Sequence, residues 1–304
     1  MNLPKAITIC EVGLRDGLQN EKILLTTDQK LELLRGVVEA GMPVVEVGSF
    51  MSPKAVPQMA DTDEVFRRMP PLSPPQSQVE FRALIANVKG VERAIACNCA
   101  KVKLNVSASR AHNLANLNMT PEQSVAGFSG CAQAAQSAGL ALSGSIAMAY
   151  GSPWEQVIPI SDIEAIVDAY LAIGVTEISL SDSSGMAVPD QVYQIGAAMC
   201  TKYPDVDWWM HFHNTRGTGI ANLLAAMQAG MTRFDTSFAG LGGCPFVPGA
   251  AGNIATEDVL YLCQRMDIET GIDFDKALAV AGRVVELIGH PTDSYQLRVA
   301  CKNV

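Results

Sequence analysis

An alternation that recurs about eight times constrains this chain more than any other feature. Strand-like runs lie at 6–12, 44–49, 79–85, 101–107, 142–149, 177–181, 207–213 and 233–238, with helix-period segments between them. Residues 25–40 set Leu31, Leu34 and Val38 on one face, and Thr27 with Asp28 offers an N-cap. Residues 161–173 repeat apolar side chains at Ile163, Ile166, Val167 and Tyr170, and 188–199, 217–227 and 256–266 behave alike. Gly41, Gly139, Gly174 and Gly230 each stand where a helix C-terminus needs a left-handed residue, with the next strand a few residues on. Such repeats with short connections predict an α/β fold, a (β/α)8 TIM barrel. A doubly wound open sheet is the alternative, but no Gly-x-Gly-x-x-Gly follows the first strand.

The end of the chain reads differently. Residues 273–287 are helical in period, and the stretch to 304 has no strand signal. The expectation is an appended C-terminal helix and tail, covering part of the barrel or a neighbouring subunit. No linker rich in Pro, Gly or Ser divides the chain, so one domain is expected, with a barrel over about 5–268 and an extension over about 270–304. The proline-rich stretch at 70–75 reads as a rigid loop entering the third strand.

Composition narrows the function. A 304-residue chain that is 48% hydrophobic has material for a large core. No apolar run approaches the roughly 20 residues of a membrane helix. Met1-Asn-Leu-Pro-Lys5 leads into an apolar run without a leader pattern, so a cytoplasmic protein is expected. A net charge of −9 argues against nucleic acid as partner, though not against a small anionic ligand. Eight scattered cysteines read as thiols, and the close pair Cys97 and Cys99 reads as two packing or surface thiols.

In a barrel of this kind the site lies at the C-terminal ends of the strands. Arg15 and Asp16 follow strand one, Glu46 and Ser49 lie late in strand two, and Asp182 follows strand six. His211 and His213 end strand seven. Residues i and i+2 of a strand point to one side about 6–7 Å apart, so the two imidazoles can share a metal while Phe212 packs outward. A structural histidine pair is the plainer reading. Yet the chain has only four histidines, and two of them fall at a strand end. A carboxylate from Asp16 and an amide oxygen from Asn253 would complete a nitrogen–oxygen donor set suited to Mg²⁺ or Mn²⁺, with zinc the alternative. Arg15 could hold a developing enolate or carboxylate oxygen. Adjacent residues seldom pair well, so Arg15 is not expected to be tied to Asp16. Glu46 and Asp182 would need partners such as Arg15 or a ligand histidine.

The segment 239–253 holds Cys244 among five glycines and two prolines with no charge, and ends on Asn253. It reads as a loop that carries a thiol to the site, where a nearby cation tunes the thiol for proton transfer. Lys22, Lys54, Lys101, Lys103 and Arg110 are the cations available for anionic groups near strand ends or adjoining loops.

These residues resemble a known family. Glu11-Val-Gly-Leu-Arg-Asp-Gly-Leu-Gln-Asn-Glu-Lys22, Ser49-Phe-Met-Ser-Pro-Lys-Ala-Val-Pro-Gln-Met59, His211-x-His213 and the loop 239–253 followed by Thr256-Glu-Asp258 look like 3-hydroxy-3-methylglutaryl-CoA lyase, one of the metal-dependent TIM-barrel lyases. The resemblance implies cleavage of such an acyl-CoA to acetyl-CoA and a 3-oxo acid, acetoacetate in the type reaction. It implies a divalent cation on Asp16, His211, His213 and Asn253, an enolate held by Arg15, proton transfer by Cys244, support from Glu46 and Asp182, and a homodimer for which the apolar C-terminal helix offers a surface. A synthase or aldolase of the same superfamily is the competing reading. The chain also departs from the family. His211-Phe-His-Asn-Thr-Arg-Gly217 stands for the usual His-Cys-His-Asp-Thr-Tyr-Gly, Ser181-Asp-Ser-Ser-Gly185 for Gly-Asp-Thr-Ile-Gly, and Tyr150-Gly-Ser-Pro-Trp154 for a Gly-Cys-Pro-Tyr segment. These changes border the mouth, and the expectation is a different acyl substituent, with Arg216 as a candidate reader of an extra carboxylate.

Overall fold

The computed structural model describes residues 2–69, 78–243 and 251–300. Eight parallel strands close into a barrel in sequence order: β1 (Thr8–Glu11), β2 (Val44–Ser49), β3 (Glu80–Ile85), β4 (Lys101–Ser107), β5 (Ala141–Ala147), β6 (Glu177–Asp182), β7 (Asp207–Phe212) and β8 (Arg233–Thr236). β8 pairs back onto β1 with Cys10 opposite Asp235 and Glu11 opposite Thr236. The expected (β/α)8 barrel is therefore present. Helices on the outside bury the outward-facing residues of each strand, Ile9, Val45, Leu104 and Ile178 among them. Each such side chain contributes about 1.5–3 kcal/mol through burial.

The helices are α1 (Thr27–Glu39), α2 (Thr62–Arg68), α3 (Val88–Ala96), α4 (Arg110–Leu117), α5 (Pro121–Ser137), α6 (Ile160–Ala172), α7 (Pro189–Lys202), α8 (Gly219–Gln228), α9 (Thr256–Arg265), α10 (Phe274–Ile288) and α11 (Tyr295–Ala300). The four expected glycine stops all have positive φ, from 69° at Gly139 to 100° at Gly230. One cap differs from expectation. Thr26, not Thr27, caps α1, because its side chain accepts from Gln29 N while the Gln29 side chain accepts from Thr26 N.

Strands β1, β5, β7 and β8 end earlier than the sequence suggests. β7 stops at Phe212, and His213 instead makes an isolated antiparallel bridge with Asn253. β8 stops at Thr236, after which Phe238–Gly240 forms a short 3-10 turn. The C-terminal tail also carries α11, which the sequence reading does not anticipate. The apolar stripe of α10, with Ala277, Val280, Ala281, Val284 and Ile288, is already buried in its own chain, in contact with α1 and α9. Close approach is possible because α1 has no side chain at Gly36, where a Cβ would stand 2.7 Å from Val280 Cγ2. That stripe is therefore not a free surface for a second subunit. The 70–75 stretch lies outside the described residues.

No helix of the described residues is long and apolar enough to cross a membrane. Cys97 and Cys99 are both buried, as packing thiols would be.

Candidate metal and catalytic site

The turn after β1 positions two site residues. The chain leaves Glu11 and enters a single π-helical turn, Gly13–Gly17. The Val12 carbonyl accepts from the backbone N–H of Arg15, Asp16 and Gly17 at 3.1, 2.7 and 3.2 Å. The ring of Phe238 packs against the start of the turn, where a Cβ on Gly13 would stand 2.6 Å from its Cζ. Glu11 braces the turn from below. Its Oε1 accepts from Gly13 N at 2.7 Å and Phe238 N at 3.0 Å, and its Oε2 from Thr256 Oγ1 at 2.6 Å. Burial pushes the Glu11 carboxyl up to about 8 despite these donors.

Asp16, His211 and His213 converge. The two Nε2 atoms lie 3.1 Å apart, and Asp16 Oδ2 is 3.8 Å from His211 Nε2 and 3.6 Å from His213 Nε2. One ligand atom from each of the three lies within 4.8 Å of the others. Burial alone would raise Asp16, but Arg15 and the two histidines outweigh it and hold the carboxyl well below its ordinary range. Asn253 joins them, delivered by its bridge to His213. Its Nδ2 donates to Asp16 Oδ2 at 2.8 Å and to Leu241 O at 2.9 Å. The amide oxygen expected as a ligand is thus turned away, yet it is buried without a hydrogen-bond partner.

The ends of the loop that follows β8 meet here. Leu241 O accepts from Asn253 N at 3.3 Å, and Asn214 N donates to Gly252 O at 2.9 Å. A Cβ on Gly252 would fall 1.9 Å from Gly240 O, so only glycine permits this closure. Cys244 lies outside the described residues. Gly243, one residue before it, borders the cavity at the barrel mouth, whose volume is about 190 Å³.

Beneath the mouth runs a column of charge. Arg15 Nη1 donates to Asp16, against the expectation that neighbours would not pair, because the π-helical turn brings their side chains to one side. Arg15 Nε donates to Glu46 Oε1 at 2.5 Å. Lys103 Nζ donates to Glu46 Oε2 at 2.9 Å and to Asp235 Oδ2 at 3.3 Å. His211 Nδ1 lies 3.2 Å from that same Asp235 Oδ2. Burial favours neutral forms, but mutual charge prevails: Glu46 and Asp235 are lowered, while Arg15 and Lys103 are raised. Glu46 thus has the partner the sequence called for.

The hydrogen bonds of the Asp182 carboxylate go to its own turn, and only its charge reaches His213 of the cluster. Its carboxylate accepts from Ser184 Oγ, Met186 N and Ala187 N at 3.1, 2.9 and 3.0 Å, organising the turn after β6. Arg216 is engaged here as well. Its Nη1 donates to the Ser184 and Gly185 carbonyls, which fastens the same turn. Lys101 is ion-paired with Glu80 and Glu177 at the opposite end of the barrel, and Lys103 lies within the column. Neither is available for phosphate. Lys22, Lys54 and Arg110 are exposed.

Sequence reasoning missed Asp235 and the inward setting of Lys103. The signal was there. Lys103 lies between Val102 and Leu104, and Asp235 beside Phe234, so each is a charge at the alternate position of an apolar strand.

The HMGL-like family matches residues 6–284. The hydroxymethylglutaryl-CoA lyase of Bacillus subtilis is 36% identical over 98% of this chain and 99% of its own. The (R)-citramalyl-CoA lyase of Chloroflexus aurantiacus is 38% identical over 94% of this chain and 92% of its own. The solved structure of an HMG-CoA lyase from Acinetobacter baumannii in complex with coenzyme A and 3-methylmalate has a TM-score of 0.92 and 39% identity, covering 97% of this chain and 95% of that one. The chain belongs to the HMGL-like family and is a hydroxymethylglutaryl-CoA-lyase-like enzyme, of the carbon–carbon lyase type.

Proposed function

We propose that the enzyme cleaves 3-hydroxy-3-methylglutaryl-CoA, or a closely related 3-hydroxyacyl-CoA, to acetyl-CoA and a 3-oxo acid. The observation that carries this reading is the meeting of Asp16, His211 and His213 beside the guanidinium of Arg15 in one cavity. The donor set fits a divalent cation, Mg²⁺ or Mn²⁺, and the orphaned Asn253 Oδ1 supports a fourth ligand. The two ends of an amide are alike in shape, and exchanging them presents the oxygen. When bound, the cation would lower the pKa of the substrate hydroxyl and draw a substrate carboxylate oxygen.

The chain's own groups do the rest. Asp235, on His211 Nδ1, orients the ring so that Nε2 faces the site. Transfer of the hydroxyl proton to a neighbouring carboxylate, Asp16, lets the C–C bond break, and the bond's electrons pass to the thioester as an enolate. Arg15, fixed by Asp16 and Glu46, presents the remainder of its fork to that enolate oxygen. Cys244 protonates the enolate carbon from the loop. Asp182 supports the site from the turn after β6. Lys22, Lys54 and Arg110 are candidates for the coenzyme phosphates.

A second reading concerns the acyl group alone. The citramalyl-CoA lyase relative is as similar as the hydroxymethylglutaryl-CoA lyase, and Asn105, Ser145 and Ser181 give one cavity wall a polar character suited to a smaller, more polar acyl chain. Turnover of both acyl-CoAs with Mg²⁺ or Mn²⁺, with and without EDTA, tests both readings beside His211→Ala and Cys244→Ser. Metal-dependent release of acetyl-CoA with acetoacetate supports the first, and with pyruvate the second. Turnover that survives EDTA and His211→Ala would sink the metal-site mechanism.

A further inference from the structure

We propose that Lys103 is a positioning residue for the lyase reaction, joining the support of the metal-binding histidine to the support of the enolate-binding arginine. The inference rests on the function proposed above. Its basis is a buried ammonium with two anionic partners, each committed to a different part of the site.

Lys103 is 4% exposed, Glu46 0% and Asp235 1%. The three come from β4, β2 and β8, so the contact spans the barrel. Glu46 uses its other oxygen to hold Arg15, and Asp235 shares Oδ2 between Lys103 and His211 Nδ1. Each carboxylate thus has one cation in common and one site residue of its own. Remove the ammonium, and two carboxylates face each other across a space without water-like screening. The cheapest relief is for them to move apart or for one to take a proton. Either response shifts Arg15 or His211. A bulky apolar residue, usual inside a barrel of this type, could fill the space but could not restrain both carboxylates. Lys103 also borders the cavity, but its ammonium is directed to these two partners.

The test is a double-mutant cycle on the full chain, read by Mn²⁺ binding to substrate-free protein and by steady-state kinetics. Lys103→Met is expected to weaken Mn²⁺ binding about tenfold and lower kcat at least tenfold, with KM changed less than threefold. Asp235→Asn should weaken Mn²⁺ binding about tenfold too. Because Lys103 acts on the metal site through Asp235, the double variant should lose about tenfold rather than a hundredfold. Wild-type Mn²⁺ affinity and kcat in a folded Lys103→Met protein overturn the proposal, and so does full additivity. If Lys103→Met alone does not fold, Asp235→Asn and the charge-balanced double variant carry the test. Equal Mn²⁺ affinity in those two supports it, and a further tenfold loss overturns it. Wild-type protein that binds no Mn²⁺ would defeat this proposal together with the metal reading. Wild-type protein that binds Mn²⁺ but turns over neither acyl-CoA would defeat the proposed reaction alone, leaving the Mn²⁺ cycle to decide on Lys103.

Discussion

Arg15 donates Nε to Glu46 Oε1 at 2.5 Å, so a residue of the turn after β1 is aimed by a fully buried carboxylate of β2. The pair lies beside the candidate metal ligands Asp16, His211 and His213 without being one of them. Glu46→Gln removes the anion while keeping the shape, leaving two buried cations with less compensation. Breaking such a pair costs about 3–5 kcal/mol of stability. The expected outcome is a folded but weaker protein in urea unfolding, with kcat at least tenfold lower. Mn²⁺ affinity should stay within threefold, since Glu46 touches no ligand. Wild-type kcat in this variant would show that Arg15 needs no such aim.

The order of the barrel was legible because parallel strands covered on both sides read as apolar runs, and because glycine marks helix ends. Asp16, His211, His213 and Asn253 were legible by their places after strands. What escaped had physical reasons. Helices α2 and α4 are only 7 and 8 residues long, too short to show a clear period. The divide between α4 and α5 rests on the left-handed Asn118 and the Thr120 capping box. The pairing of Arg15 with Asp16 depends on a π-helical turn, which has no simple sequence signature. The Lys103–Asp235 contact joins β4 to β8, and no local pattern reports a contact across a barrel. The sequence could not show that Asp182 and Arg216 would both be occupied by one turn.

Two buried carboxyls predict an unusual pH dependence of stability. Burial raises Glu11 to about 8 and Glu257 to about 7, against ordinary values of 4.5. A group raised on folding binds its proton more tightly in the native state. Its stabilising contribution is complete below the ordinary value and is lost as pH rises through the raised one. Each group therefore lowers the unfolding free energy by up to about 1.4 kcal/mol per pH unit inside its window. Asp16, Glu46 and Asp235 are lowered on folding and act oppositely, losing their contribution below about pH 4. Stability in the presence of EDTA should thus peak near pH 5 and fall towards pH 8. Urea unfolding at several pH values measures it, and Glu11→Gln with Glu257→Gln should flatten the alkaline side. A curve that rises from pH 5 to 8 would contradict the assignment.

Gly252 separates loop closure from ligand chemistry. Gly252→Ala would force its Cβ against Gly240 O, a backbone atom that cannot rotate away. The two ends of the loop must then part, and Asn253 moves with them. The expected result is loss of about 2–4 kcal/mol in stability, the range of severe local strain and overpacking. Mn²⁺ binding should weaken at least threefold although no ligand is altered. Calorimetric titration of the substrate-free protein checks it, and unchanged affinity would mean that Asn253 contributes nothing to the metal site.

The opposite end of the barrel supplies the control. Arg82 lies over the Trp209 ring at 4.6 Å, pairs with Glu80, and meets Glu177 at 2.8 Å. Lys101 bridges the same two carboxylates at 2.9 and 2.7 Å. This cluster gathers at the N-terminal ends of β3, β4 and β6, the end of a barrel given to stability rather than catalysis. Arg82→Met leaves one cation for two partly buried carboxylates and removes a cation–π contact. The cost should be about 3–5 kcal/mol from the broken pairs, with a smaller contribution from the ring. Because none of its ion-pair or ring partners is a site residue and only its charge reaches Asp235, kcat and Mn²⁺ affinity of the folded fraction should remain within twofold of wild type. Urea unfolding and steady-state kinetics on the same preparation measure both. A tenfold loss of kcat without a change in stability would mean that charge at the base of the barrel is felt at its mouth.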